Sequence, residues 1–129
     1  MREERGQAVL VVVLALAISA AAVIGLRTAQ DRIVVAAHAQ RAGEAAVEAA
    51  AQAVADLYGS HAVAPAKLVT DPRALEAARS AADELARLNG ASGVAQVELV
   101  CANKRIEARL VLNGYSHHAG FSGPECSPS

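Results

Sequence analysis

Apolar and polar positions are sharply segregated along this chain. From Gly6 to Leu26 no residue is charged, and Gln7 and Ser19 carry the only polar side chains. At a helical rise of 1.5 Å, Ala8 to Leu26 reaches roughly 28 Å, close to the roughly 30 Å hydrocarbon core of a bilayer. The pattern predicts a transmembrane helix over 8–26, in a lipid bilayer, behind a short N-terminus, 1–7, whose cytoplasmic side is expected from the cysteines of the body and not from this pattern. Beyond Leu26 nothing breaks the helix. The first proline is Pro65, and alanine, the best helix former, dominates residues 36–55. Projected at about 100° per residue, Arg27, Asp31, His38, Arg41, Glu44, Glu48, Gln52 and Asp56 share one side. Ala36, Gly43, Val47, Ala50, Val54 and Leu57 run along the other. One helix from about Gln7 to Tyr58 is therefore expected, lipid-facing first and amphipathic afterwards. Ala36, Gly43, Val47 and Ala50 form its candidate packing seam. Small residues there let a second helix approach closely, from this chain or from another subunit.

Gly59-Ser60 marks the end of that helix, and His61 to Thr70 reads as a connection. Asp71-Pro72 opens another helix, with Asp as the cap and Pro where its missing N–H costs nothing. Leu75, Ala78, Ala81, Ala82, Leu85 and Leu88 form its expected apolar face, and Asn89-Gly90 its stop. An antiparallel packing on residues 36–57 follows. The period then changes. Val94 to Ala102 and Arg105 to Asn113 read as strands joined at Asn103-Lys104. With a two-residue turn, Cys101 faces Ile106, Leu99 faces Ala108 and Val97 faces Leu110 on an apolar face. Glu98 then lies opposite Arg109, and Val100 opposite Glu107, on the other face. Residues 114–129 lack periodicity and read as a flexible tail. The predicted fold class is α+β: a long N-terminal transmembrane helix extending into an amphipathic helix, a second packed helix and a C-terminal β-hairpin. The body spans 27–113.

Composition narrows the picture. Two tyrosines, one phenylalanine and no tryptophan leave a core of Ala, Val and Leu, which buries little area per residue. Such a body is marginally stable alone and gains from docking to partners. A net charge of −1 gives no ground for nucleic acid binding. Two cysteines, Cys101 and Cys126, lie downstream of the apolar run. An even count there suits a disulfide in an oxidising compartment, with two buried thiols as the alternative. The apolar run itself has two competing readings. Ala20-Ala21-Ala22 is a signal-peptidase-like site, which would release residues 23–129 as an exported binding module. A buried core helix is the other, but no segment of the chain is large enough to cover it. For orientation, Arg27, Arg32 and Arg41 after the span outnumber Arg2 and Arg5 before it, which favours a cytoplasmic body. The cysteines favour an extracytoplasmic one.

Candidate chemistry is sparse. There is no P-loop, dinucleotide glycine pattern, G-x-S-x-G or H-E-x-x-H. His117-His118 is a weak metal candidate on a tail read as solvated. His38 falls on the polar helix face and His61 in a loop. Glu44 and Glu48 make a like-charge pair on a solvated face, and Tyr115 and Phe121 are too isolated to stack bases. No enzyme, cofactor or metal is expected.

The opening Glu4-Arg5-Gly6-Gln7-Ala8, the apolar run behind it and the stretch Ala42-Gly43-Glu44-Ala45-Ala46-Val47-Glu48-Ala49-Ala50-Ala51 resemble the TadE/TadG-like family. These are minor pilin-like proteins of tight-adherence (Flp-type) pilus and secretion systems. The resemblance covers about residues 3–56. Asn89-Gly90 followed by a strand with Cys101 looks like actinobacterial members. It implies a single-pass anchor in the cell membrane, an extracytoplasmic body, and other pilus or secretion-system membrane proteins as partners, with self-association. In processed pilin-like members a peptidase cuts after a glycine equivalent to Gly6, leaving Gln7 first, and a glutamate five residues on aids processing and packing. Here that position is Val11. A carboxylate at that depth is costly in lipid and valine is not, so Val11 favours a component that stays in the membrane.

Overall fold

The computed structural model describes residues 2–60, 64–94 and 96–127, without the side chains of residues 2–5. His61 therefore lies outside the described residues. The chain divides into two compact units, 1–36 and 37–129.

The first unit is the N-terminal part of helix α1 (Arg2–Ser60). Its large apolar side chains, from Val9 to Val35, are all more than half exposed, and its most apolar stretch is 0% buried. By length and composition this helix is able to cross a membrane. Its hydroxyls are already satisfied within the helix. Ser19 Oγ donates to the Ala15 carbonyl at 2.8 Å and Thr28 Oγ1 to the Ile24 carbonyl at 2.9 Å. Hydrocarbon surroundings require such internal pairing.

The second unit combines residues 37–60 of α1 with a short helix α2 (Pro65–Leu68), helix α3 (Pro72–Leu88) and strands β1 (Val97–Ala102), β2 (Arg105–Leu112) and β3 (Tyr115–Ser122). In α1, Ala42, Ala46, Val47, Ala50, Ala51 and Val54 are buried. Helix α3 starts as its cap signal requires: the Asp71 carboxylate accepts from the Arg73 N–H at 2.8 Å, with Pro72 in the first turn. Its buried stripe is Ala74, Ala78, Ala82 and Ala86. The expected leucine face is corrected here. Leu75 and Leu85 are only half-buried, and Leu88 is 74% exposed. Alanines bring the helix close to the core, and the leucines flank that contact. After Leu88 the chain turns at Gly90 (φ 75°), and among the described residues no element covers Leu88. The stretch expected as a plain connection contains α2, whose Pro65 and Leu68 are buried.

The three strands form one antiparallel sheet in the order β1-β2-β3. β1 and β2 pair as Val97–Leu110, Leu99–Ala108 and Cys101–Ile106, with Glu98 opposite Arg109 and Val100 opposite Glu107. That is the register read from the alternation. Asn103 (φ 51°) and Lys104 (φ 58°) both take left-handed geometry, as a two-residue hairpin turn of matching twist requires. The strand begins at Val97, not Val94, because the Val94 N–H is taken by Asp83 Oδ1 of α3 at 2.9 Å.

The flexible tail is overturned. Residues 115–122 pair along the whole of β2 through a second tight turn, Asn113 (φ 52°) and Gly114 (φ 82°). Residues 123–127 then fold back over the β1–β2 turn. The Asn103 N–H donates to the Ser127 carbonyl (3.0 Å), Lys104 N–H to the Cys126 carbonyl (3.1 Å), and Gly123 N–H to the Lys104 carbonyl (2.9 Å). A Cys101–Cys126 disulfide pins this strap to β1.

The buried stripes of α1 and α3 lie on one face of the sheet, whose cross-strand rows are Val97–Leu110–His117, Leu99–Ala108–Ala119 and Cys101–Ile106–Phe121. The other face carries Glu98, Arg109 and His118, all exposed.

Candidate helix-packing site

The sequence-predicted seam is divided by the structure. Gly43, Val47 and Ala50 are buried, whereas Ala36 is exposed in the first unit. A helix is amphipathic by its own period, but only what lies opposite buries a residue, and the body begins after Ala36. The tight approach at Gly43 is also not to a helix. A Cβ built there falls inside the imidazole of His117 on β3. The missing side chain of Gly43 is the notch into which His117 fits. From there α1 and β3 run in the same sense. Val47 faces the Tyr115–His118 stretch, Ala51 and Ala55 line the groove with Ala119 to Phe121, and Tyr58 packs on Phe121 with ring centroids 5.8 Å apart and planes tilted by 44°.

Strand alternation sends the two adjacent histidines to opposite faces. His117 is 7% exposed among apolar neighbours, and His118 is on the open face. They therefore cannot share a metal ion. Among the described residues no group of three or more His, Cys, Asp or Glu side chains is arranged to hold one. His38 is exposed on α1, as are Glu44 and Glu48. Gln40 Nε2 donates to Glu44 Oε1 at 3.0 Å, so Glu44 is held along the helix surface. Gly6 and Gln7 are exposed on the first turns of α1, and a Cβ on Gly6 would meet nothing within 4 Å.

At the far end of the α1–β3 contact, the Tyr58 hydroxyl donates to Glu125, 3.0 Å from Oε2 and 3.3 Å from Oε1. The hydrogen bond to Glu125 raises the Tyr58 phenol above the ordinary tyrosine value, with desolvation and the carboxylate charge acting in the same direction. A raised folded value means that this stabilisation is complete below the usual tyrosine range and is lost as pH rises through the raised value. Glu125→Gln is expected to move the Tyr58 titration back down, read as phenolate absorbance in an alkaline titration of a Tyr115→Phe background. An unchanged Tyr58 midpoint would count against the clasp.

Sequence reasoning missed β3 and the role of His117. The local signal was present: Asn113-Gly114 is the strongest two-residue hairpin turn.

The surface assembled here is a packing surface. α1 is the common element: its residues 37–60 dock on the sheet, and its apolar N-terminal part is unburied. Comparison of the chain with protein-family models, curated proteins and solved structures finds no match.

Proposed function

We propose that this chain is a non-enzymatic, single-pass component of a TadE/TadG-like pilus assembly or secretion system, held in the cell membrane by α1 and acting through helix packing. The observation that carries the reading is the unburied apolar part of α1, whose aliphatic side chains find no cover among the described residues. Lipid, or helices of neighbouring membrane proteins and of further copies, supplies that cover at no polar cost. The disulfide supports an extracytoplasmic body, because such bonds persist in oxidising compartments. A long helix whose second part lies on an antiparallel sheet closed by a C-terminal strap is the arrangement a pilin-like subunit needs, and it supports this reading.

Two measurements test it. Leu16→Arg places a charge near the middle of the span, at a cost of about 2.5–3.5 kcal/mol. The carbonate-resistant membrane fraction is expected to fall roughly a hundredfold relative to the soluble fraction. Intact mass from the native membrane fraction should begin at Met1, or at Gln7 if pilin-type cleavage occurs despite Val11. A mature start near Val23 would overturn the anchor and favour the exported binding module.

A further inference from the structure

We propose that Asn113 is a self-modification site: its side-chain amide is lost through ring closure by the Gly114 nitrogen, and the isoaspartate that results unhinges β3 from β2. The inference concerns the second unit alone and holds whichever membrane address is correct.

The chain has three asparagines, Asn89, Asn103 and Asn113, and all are exposed. An asparagine deamidates when the backbone nitrogen of the next residue attacks its side-chain carbonyl carbon. That requires an unengaged nitrogen, a free amide and little bulk on the following residue. Asn89 lacks the first two. Its Nδ2 donates to the Leu85 carbonyl at 2.8 Å, and the Gly90 N–H donates to the Arg87 carbonyl at 2.9 Å. Asn103 is followed by a lysine, and the Lys104 N–H donates to the Cys126 carbonyl at 3.1 Å. After Asn113 comes a glycine, and a Cβ there would meet nothing within 4 Å. Among the described residues no hydrogen bond holds the Asn113 amide or the Gly114 N–H.

The turn also provides the geometry. Asn113 (φ 52°) and Gly114 (φ 82°) match a type I′ turn. Rotating the one peptide between them gives a type II′ turn, which keeps φ of the first residue positive and brings its ψ to about −120°. Glycine accepts the new φ of the second residue. The flanking Leu112–Tyr115 pair need not move, because both turn types close a two-residue hairpin. At that ψ the Gly114 nitrogen eclipses Cβ of Asn113, as closure of a five-membered ring on Cγ requires.

The reaction consumes only water. Hydroxide takes the Gly114 N–H proton, the N–Cγ bond forms, and the Cγ–Nδ2 bond breaks as ammonia leaves with a proton from water. Water then opens the succinimide. Attack at Cγ gives aspartate. Attack at the main-chain carbonyl leaves Gly114 joined to Cγ, so the backbone runs through the side chain as isoaspartate. That adds one carbon to a loop whose length fixes the β2–β3 register. The strand that brings His117 to Gly43 and Phe121 to Tyr58 thereby loses its turn.

The full chain, aged in detergent micelles in mildly alkaline buffer, tests this by peptide mapping. The gain of about 1 Da is expected at Asn113 roughly tenfold faster than at Asn89 or Asn103, the factor that one or two ordinary hydrogen bonds impose. Hydrogen exchange over residues 115–122 should then rise in the aged wild type and stay constant in aged Asn113→Gly, which keeps a residue suited to the turn and has no amide to lose. Should that variant fold poorly, the modified and unmodified forms of the aged wild type, separated by charge, give the same comparison. Conversion of Asn89 or Asn103 as fast as Asn113 would overturn the site, and unchanged exchange of β3 in the isoaspartate form would overturn the unhinging.

Discussion

Replacing Cys101 and Cys126 together with alanine is expected to lower the stability of the second unit by roughly 3.5 kcal/mol, the loop-closure value for a separation of 25 residues. Small domains have only about 5–15 kcal/mol in total, and this core is assembled largely from alanine and valine. The loss also has a defined location. Cys126 is 2% exposed, and the strap it anchors supplies carbonyls to the Asn103 and Lys104 N–H groups. Glu125 in the same strap holds Tyr58 of α1. Opening the disulfide should therefore loosen the β1–β2 turn and the C-terminal end of α1 together. Urea unfolding of the oxidised chain, the reduced chain and the double variant checks this. A midpoint that moves little on reduction would mean that the hydrogen-bonded strap holds without its covalent pin.

Gly43→Ala is expected to destabilise, although the substitution favours a helix by about 1 kcal/mol in isolation. The new methyl would overlap the His117 ring. That ring lies in one cross-strand row with Val97 and Leu110 and must shift to admit the methyl. Overpacking of this kind costs about 1–3 kcal/mol, so the net loss is up to about 2 kcal/mol. Gly43→Leu should cost more. Gly59→Ala is the internal comparison, because a Cβ there meets nothing within 4 Å, and it should be neutral or slightly stabilising. The cause is isolated by a double-mutant cycle with His117→Ala. Once the ring is gone, Gly43→Ala should cease to destabilise. If the penalty persists in that background, the notch at Gly43 is not set by His117.

Much of the body was legible because its signals are local. Asp71-Pro72 specifies a helix start through its own carboxylate and its own fixed φ. The register of β1 on β2 followed from one turn length and the alternation on either side of it. The third strand was hidden by its composition. Ser116, His117, His118, Ala119 and Gly120 are a poor set of strand formers, and they extend because β2 offers a paired edge. Asn113-Gly114 marked that turn, but without a recognisable strand after it the signal was overlooked. The expected apolar face of α3 was right at Ala78 and Ala82 and wrong at Leu88 for a related reason. Periodicity identifies a side, and the close approach of neighbours selects the alanines over Leu88 on it.

By itself, the sequence determined the long helix with its membrane-compatible apolar part, the caps and stops of α3, and the first hairpin. Each depends on residues within one or two turns, or within one strand pair, so neighbours along the chain contain the physics. Only the tertiary structure decided what Gly43 is for, why one of two adjacent histidines is buried, and that residues 123–127 form a strap over the first turn. Those are contacts between segments far apart in sequence. Their energy comes from the shape and bonding groups of the opposite surface, which no local pattern encodes.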